Sequence, residues 1–82
     1  MTVTSKREEV QQTVMEALVE FGADPEKVTL DATLEELYVD SLDLVELAQI
    51  AEDKYDVTLN AEDAQEVRTV RDALELIVSR MP

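Results

Sequence analysis

The stretch that decides the fold of this chain is Asp40-Ser41-Leu42-Asp43-Leu44-Val45-Glu46-Leu47, near the middle of its 82 residues. It begins like a helix, because Asp40 can accept a hydrogen bond from the backbone of the first turn. Asp43, three positions later, can accept one in return from the backbone of Asp40, which completes a capping box. The sequence therefore predicts a helix that starts at Asp40 or Ser41 and runs to about Lys54.

This predicted helix carries apolar side chains on two faces. At about 100° per residue, five of them fall within an arc of about 100° and form a core-facing stripe: Leu44, Leu47, Ala48, Ala51 and Tyr55. Leu42 and Val45 project about 160° and 105° from the centre of that stripe. The polar side chains around them are Asp43, Glu46, Gln49, Glu52 and Asp53. We expect Leu42 and Val45 at the surface, either in an interface or as the single exposed apolar residues that most proteins have.

Three further helices are predicted on either side. Ser5 caps the first, over about residues 5–21, and its inward stripe consists of Val10, Val14, Leu18 and Phe21. Asn60 caps a short third helix that ends at about Gln65. Thr69 caps the last helix, whose inward stripe consists of Val70, Ala73, Leu74, Ile77 and Met81.

The first connection, residues 22–40, is too long to lack structure in a compact domain. Its apolar residues predict an ordered loop on the core, with single helical turns at Asp24-Pro25 and Thr33-x-x-Glu36. Residues 55–59 have extended character but no strand partner, so we interpret them as a connector. The predicted fold is all-α: a four-helix bundle with three main helices and one short one, in a single domain over residues 1–82.

Charge limits the partners of such a domain. The chain has 20 acidic and 7 basic residues, a net charge of −13, and residues 31–66 hold 12 of the acidic residues against one basic residue. Nucleic-acid backbones and anionic membranes would be repelled, so the expected partners are basic proteins or cations. No apolar run is long enough to cross a membrane. We expect a cytoplasmic monomer.

The chain contains no cysteine and no histidine. It therefore lacks a thiolate nucleophile, the usual acid–base group at neutral pH and the common ligands of zinc sites. We expect neither an enzyme nor a metal site. Ser41 has no histidine to activate it. It is either one residue of a helix start or a serine that carries an attached phosphate group, which a helix N-terminus favours.

The stretch from Asp40 to Leu47 closely resembles the prosthetic-group site of the acyl carrier proteins. The resemblance extends over most of the chain: four helices with a long first loop, an acidic second helix that closes with Glu52-Asp53-Lys54-Tyr55-Asp56, and Thr69-Val70 at the start of the last helix. It implies a discrete, non-catalytic carrier in which Ser41 bears 4′-phosphopantetheine, transferred from coenzyme A by a phosphopantetheinyl transferase. The thiol of that arm would hold acyl groups as thioesters.

The resemblance also implies roles for other residues. Asp40 would help to present Ser41 and the metal used in phosphate transfer. A docking surface for basic patches on acyltransferase, ketosynthase and other acyl-processing enzymes would consist of Leu42, Asp43, Val45, Glu46, Gln49, Glu52 and Asp53. A core that can shelter an acyl chain would be lined by Leu47, Ala48, Ala51, Tyr55, Leu59, Val67, Leu74 and Ile77. Plain core packing is the alternative role for each member of that last set.

Four residues, at three places in the chain, depart from the common pattern of the family. Tyr38 stands where a glycine is usual, three residues before the serine, Gln49 replaces an apolar residue, and Asn60-Ala61 replaces a proline–acidic pair. These differences favour a polyketide or other specialised pathway over fatty-acid synthesis. The alternative function is an acidic helical interaction module, or nucleic-acid mimic, that binds a basic protein surface.

Overall fold

The structure is a computed structural model that describes residues 6–81. These residues form four helices: α1 (Lys6–Glu20), α2 (Ser41–Tyr55), α3 (Ala61–Glu66) and α4 (Val70–Arg80). The predicted all-α fold is confirmed. The predicted end of α1, both predicted ends of α2 and α3, and the predicted start of α4 lie within one residue of the observed ones. The predicted cap Ser5 lies outside the described residues. None of the described helices is long and apolar enough to cross a membrane.

Side-chain caps fix where three of the helices begin. Each N-cap side chain accepts a hydrogen bond from the backbone N–H three residues later. The aspartate at that later position accepts one from the backbone N–H of the N-cap residue. The pairs are Asp40–Asp43, Asn60–Asp63 and Thr69–Asp72. Such boxes satisfy backbone N–H groups that have no partner inside the helix. The end of α1 is set by Gly22, which has a φ of 112° that side chains rarely adopt.

The core lies between α1, α2, α4 and the first loop. Its largest fully buried side chains are Leu18, Leu74, Ile77, Val10, Val14, Val57 and Val70. Tyr55, at the end of α2, is also buried, and its hydroxyl lies 2.7 Å from the hydroxyl of Thr13 on α1. In contrast, α3 contributes no buried residue. The short helix is therefore attached to the surface of a body that the other elements build.

The first loop is ordered, as predicted. Both expected single turns are present, because the Glu26 N–H donates to the Asp24 carboxylate (3.0 Å) and the Glu36 N–H donates to the Thr33 hydroxyl (3.1 Å). Three backbone hydrogen bonds tie the loop to the start of α4: Leu34 N–H to the Arg68 carbonyl (2.9 Å), Val70 N–H to the Ala32 carbonyl (3.0 Å) and Arg71 N–H to the Leu30 carbonyl (2.9 Å). The loop thus holds the start of α2 at a fixed place on the bundle.

Candidate functional site

The site begins at the N-terminus of α2. The Asp43 N–H donates to the Asp40 carboxylate at 3.0 Å, and the Asp40 N–H donates to the Asp43 carboxylate at 3.3 Å. Ser41 is the first residue of the helix, and its side chain is exposed. The capping role predicted for Asp40 and Asp43 is confirmed. A helix start of this kind places the serine hydroxyl at the positive end of the helix dipole, where a phosphate is stabilised.

A tight turn with an unusual backbone precedes this helix start. Tyr38 has a φ of 58°, in the left-handed region that favours glycine. The Val39 N–H donates to the Leu34 carbonyl (2.9 Å), and the Tyr38 N–H donates to the Glu35 carbonyl (3.1 Å). This pair of bonds is a Schellman motif, the turn that most often ends a helix at a glycine. The chain therefore keeps the left-handed conformation at this position although the residue is a tyrosine.

Leu42 and Val45 are on the surface, as the helix geometry predicted. Their side chains are 74% and 55% exposed. The acidic and amide side chains predicted to surround them are also exposed: Glu46, Gln49, Glu52 and Asp53. Asp43 differs from these, because it is half-buried and engaged in the capping box. The structure thus places six of the seven predicted docking residues on the open surface of α2.

The acidic face of α2 is not neutralised by the rest of the described chain. The ion pairs within residues 6–81 are Lys6–Glu9, Arg7–Glu75, Arg71–Asp31 and Arg80–Asp63. None of them includes a carboxylate of α2, and the only basic residue of that helix, Lys54, is in its last turn. The negative potential of this face is therefore available to an external partner.

An apolar groove of about 220 Å³ runs beside this face, between α2, α3 and α4. Five residues of the predicted acyl-sheltering set line it: Leu47, Ala48, Leu59, Val67 and Ile77. The other three, Ala51, Tyr55 and Leu74, lie in the closed core and do not reach the groove. Val45, Gln49 and Glu52 also line it, so the groove opens onto the predicted docking surface.

Several lining residues were missed by the sequence reasoning. They include Leu44 from α2, Ala61 and Ala64 from α3, and Ala73 and Leu76 from α4. The pair Ala61 and Ala64 could have been found, because residues three apart share one face of a helix. Their small side chains give α3 no visible apolar stripe, so the sequence predicts a short third helix but no groove-facing residues on it.

One ion pair holds α3 against α4. Both terminal nitrogens of Arg80 donate to the Asp63 carboxylate, at 3.0 and 2.7 Å. Asp63 also accepts a hydrogen bond from the Asn60 N–H in the capping box (3.1 Å). The Arg80 hydrogen bonds, and after them that backbone bond, hold the pKa of Asp63 below its ordinary value. This pair thus fastens the outer wall of the groove, in which α3 itself has no buried side chain.

Comparison with known proteins agrees with this geometry. The family model described as the phosphopantetheine attachment site matches residues 10–77. An acyl carrier protein from Thermotoga maritima has a similar structure, with 25% identity, a TM-score of 0.77, and coverage of 96% of this chain and 94% of that one. The acetyl actinorhodin acyl carrier protein from Streptomyces coelicolor has 30% identity, a TM-score of 0.69, and coverage of 98% and 94%.

A third similar structure is an apo doublet acyl carrier protein from prodigiosin biosynthesis. It has 25% identity and a TM-score of 0.70, and the match covers 98% of this chain but 40% of that longer one. The match to this chain extends over all four helices in each of the three structures.

Proposed function

This chain belongs to the family of phosphopantetheine attachment-site domains, and from that premise we propose that Ser41 is the residue that carries the arm. Domains of this family carry 4′-phosphopantetheine covalently and act as acyl carriers, not as enzymes. They are modified by a phosphopantetheinyl transferase and interact with acyl-processing enzymes. When bound, the arm supplies a thiol that holds acyl groups as thioesters.

The surroundings of Ser41 fit a phosphate-linked group. The side chain is exposed at the first position of a fifteen-residue helix, where the first backbone N–H groups have no partner inside the helix. Asp40 is engaged with the Asp43 N–H and so fixes the direction in which the helix, and with it Ser41, leaves the loop. The observation that carries the proposal is this exposed serine at a capped helix start, next to an acidic face that forms no ion pair with any of residues 6–81.

We further propose that this acidic face is the docking surface for the partner enzymes. Leu42 and Val45 would form its apolar centre, and Glu46, Glu52 and Asp53 would meet arginine and lysine side chains around it. Complementary charge raises the rate of encounter and fixes orientation, whereas apolar contacts at the centre of an interface provide much of the affinity. The half-buried Asp43 would contribute mainly by holding the start of α2 in place through the capping box, and less by direct contact with a partner.

The groove supports a role in sheltering the acyl chain. Apolar cavities of about 150 Å³ bind guests of the size of benzene, and this groove is larger at about 220 Å³. Its lining is mostly leucine, valine, alanine and isoleucine, which would remove a short acyl chain from water. We propose that Leu47, Ala48, Leu59, Val67 and Ile77 contact the chain, and that Ala51, Tyr55 and Leu74 support them from the core.

The pathway is proposed to be polyketide or other specialised biosynthesis. Two of the three similar structures are carriers described with actinorhodin and with prodigiosin biosynthesis. The departures at Tyr38 and Gln49 support the same assignment.

The test of the carrier function is modification of the apo protein with coenzyme A and a promiscuous phosphopantetheinyl transferase, followed by intact mass measurement. One phosphopantetheinyl group should add to the wild type and none to Ser41→Ala. Ser79→Ala is the matched control, because Ser79 is also exposed on a helix but donates to the Leu76 carbonyl (2.8 Å). The proposal would be refuted if Ser41→Ala were modified, or if the wild type were not modified. Tight, salt-dependent binding to a basic protein that Ser41→Ala leaves intact would then favour the acidic interaction module.

A further inference from the structure

Tyr38 combines two features that the fold does not explain. Its side chain is 91% exposed, the most exposed of the large apolar and aromatic side chains in residues 6–81. Its backbone has a φ of 58°, which is disfavoured for every residue with a β-carbon. A glycine would make the same backbone hydrogen bond to Glu35 without this strain. Strained residues of this kind concentrate at functional sites.

We propose that the Tyr38 ring is a docking contact for the phosphopantetheinyl transferase that modifies Ser41. The proposal rests on the proposed function and adds a specificity residue to it. The ring contributes little to packing within the chain, because almost all of its surface is open to solvent. The whole face of the ring is therefore available for contact with another molecule.

The position of Tyr38 brings it within reach of any enzyme that modifies Ser41. Ser41 is three residues after Tyr38 in the chain. Three residues of extended chain span at most about 11 Å, so the Cα atoms of Tyr38 and Ser41 are no farther apart than that. A typical protein–protein interface covers about 800 Å² on each partner, a disc of about 16 Å radius. Tyr38 therefore lies within the radius of an ordinary interface centred on Ser41.

The charge around the ring defines the surface that would meet it. Glu35, Glu36 and Asp40 are exposed close to Tyr38 along the chain. An enzyme surface that faces them must be basic, and an arginine guanidinium stacks well on the face of a tyrosine ring. Leu42, on the other side of Ser41 in the sequence, is 74% exposed. The serine thus has a large exposed ring or aliphatic side chain on each side of it along the chain.

The experiment measures the steady-state transfer of the arm from coenzyme A to the apo protein by a purified promiscuous transferase. Tyr38→Gly removes the ring and the strain, whereas Tyr38→Ala removes the ring and keeps the strain. Both should raise the KM for the carrier about fivefold, the effect of losing one cation–π or stacking contact, and leave kcat within about twofold. Tyr38→Phe, which keeps the ring, should restore a low KM. Val19→Ala, at an exposed position on α1, is the control for a remote apolar change.

Different results separate the possible explanations. A KM within about twofold of the wild type for both Tyr38→Gly and Tyr38→Ala would overturn the proposal. An increase for Tyr38→Gly alone would also overturn it, because the backbone conformation and not the ring would then matter. Thermal unfolding of each variant shows whether it is folded at the assay temperature. If the wild type itself accepts no arm, the proposed function fails first, and this inference fails with it.

Discussion

The capping box at the start of α2 allows a quantitative comparison of two charge reversals. Asp43→Lys and Glu46→Lys change the net charge of −13 by the same amount and lie on the same helix. They should relieve the general repulsion between acidic residues about equally. Of these two carboxylates, Asp43 alone accepts a hydrogen bond from another of residues 6–81, from the Asp40 N–H at 3.3 Å. Any difference in stability between the two variants therefore measures the free energy that the Asp43 carboxylate contributes at the start of α2.

The expected difference is about 2 kcal/mol. Loss of the hydrogen bond to the Asp40 N–H costs about 1 kcal/mol. A lysine in place of a carboxylate in the first turn also reverses a favourable interaction with the helix dipole, which contributes about another 1 kcal/mol. Glu46 lies beyond the first turn, where the dipole effect has faded. For a domain of this size, about 2 kcal/mol lowers the unfolding midpoint by roughly 8–16 °C.

The assay is thermal and urea unfolding followed by far-ultraviolet circular dichroism, at low and at high salt. Asp43→Glu is the control, because a glutamate at the third helical position also completes a capping box. Midpoints for Asp43→Lys and Glu46→Lys that agree within about 2 °C would refute the reasoning, as would a lower midpoint for Glu46→Lys. The expected result makes Glu46→Lys the cleaner probe of docking, since it should weaken transferase binding while the protein stays folded.

Three further changes test the core, the contact between α1 and α2, and the attachment of α3. Leu74→Ala should lower the free energy of unfolding by about 3–5 kcal/mol in urea, because Leu74 is fully buried. Tyr55→Phe should cost about 1–2 kcal/mol in the same assay, because it leaves the half-buried Thr13 hydroxyl without its partner at 2.7 Å. Asp63→Asn should lower the unfolding midpoint at pH 7, and the difference from wild type should vanish as the pH falls below the ordinary pKa of 3.8 and through the lowered pKa of Asp63.

The outcome of each test would be informative. Leu74→Ala with near wild-type stability would mean that the core can close around the missing side chain. A midpoint for Tyr55→Phe equal to wild type would show that the hydroxyl pair contributes nothing. The sign for Asp63 follows from its lowered pKa, since a carboxyl whose folded pKa is depressed stabilises the fold only above its unfolded pKa. A pH-independent difference between Asp63→Asn and wild type would contradict that assignment.

The features that the sequence predicted are those that depend on neighbours along the chain. The caps Asp40, Asn60 and Thr69 were visible because a capping box involves positions three residues apart. The exposure of Leu42 and Val45 followed from helix geometry alone. In each case the physical cause acts within one or two turns of helix.

The features that could not be predicted depend on distant or disfavoured arrangements. Nothing in the sequence pairs Arg80 with Asp63, which is 17 positions earlier. The left-handed backbone at Tyr38 was hidden because tyrosine itself disfavours it. The division of the predicted acyl-sheltering set into groove and core residues required the placement of α3, whose small side chains carry little pattern.

Because α3 has no buried side chains, the stability of the fold and the shape of the groove depend largely on different residues. The buried core comes from the other three helices and the connecting segments, so substitutions in α3 at positions other than Asp63 would leave folding largely intact. The same substitutions would alter the width and chemistry of the groove that α3 borders. With the acyl chain in the groove as proposed, a lineage of such chains would shift from one cargo to another by changing α3 positions other than Asp63, without first acquiring compensating mutations in the core.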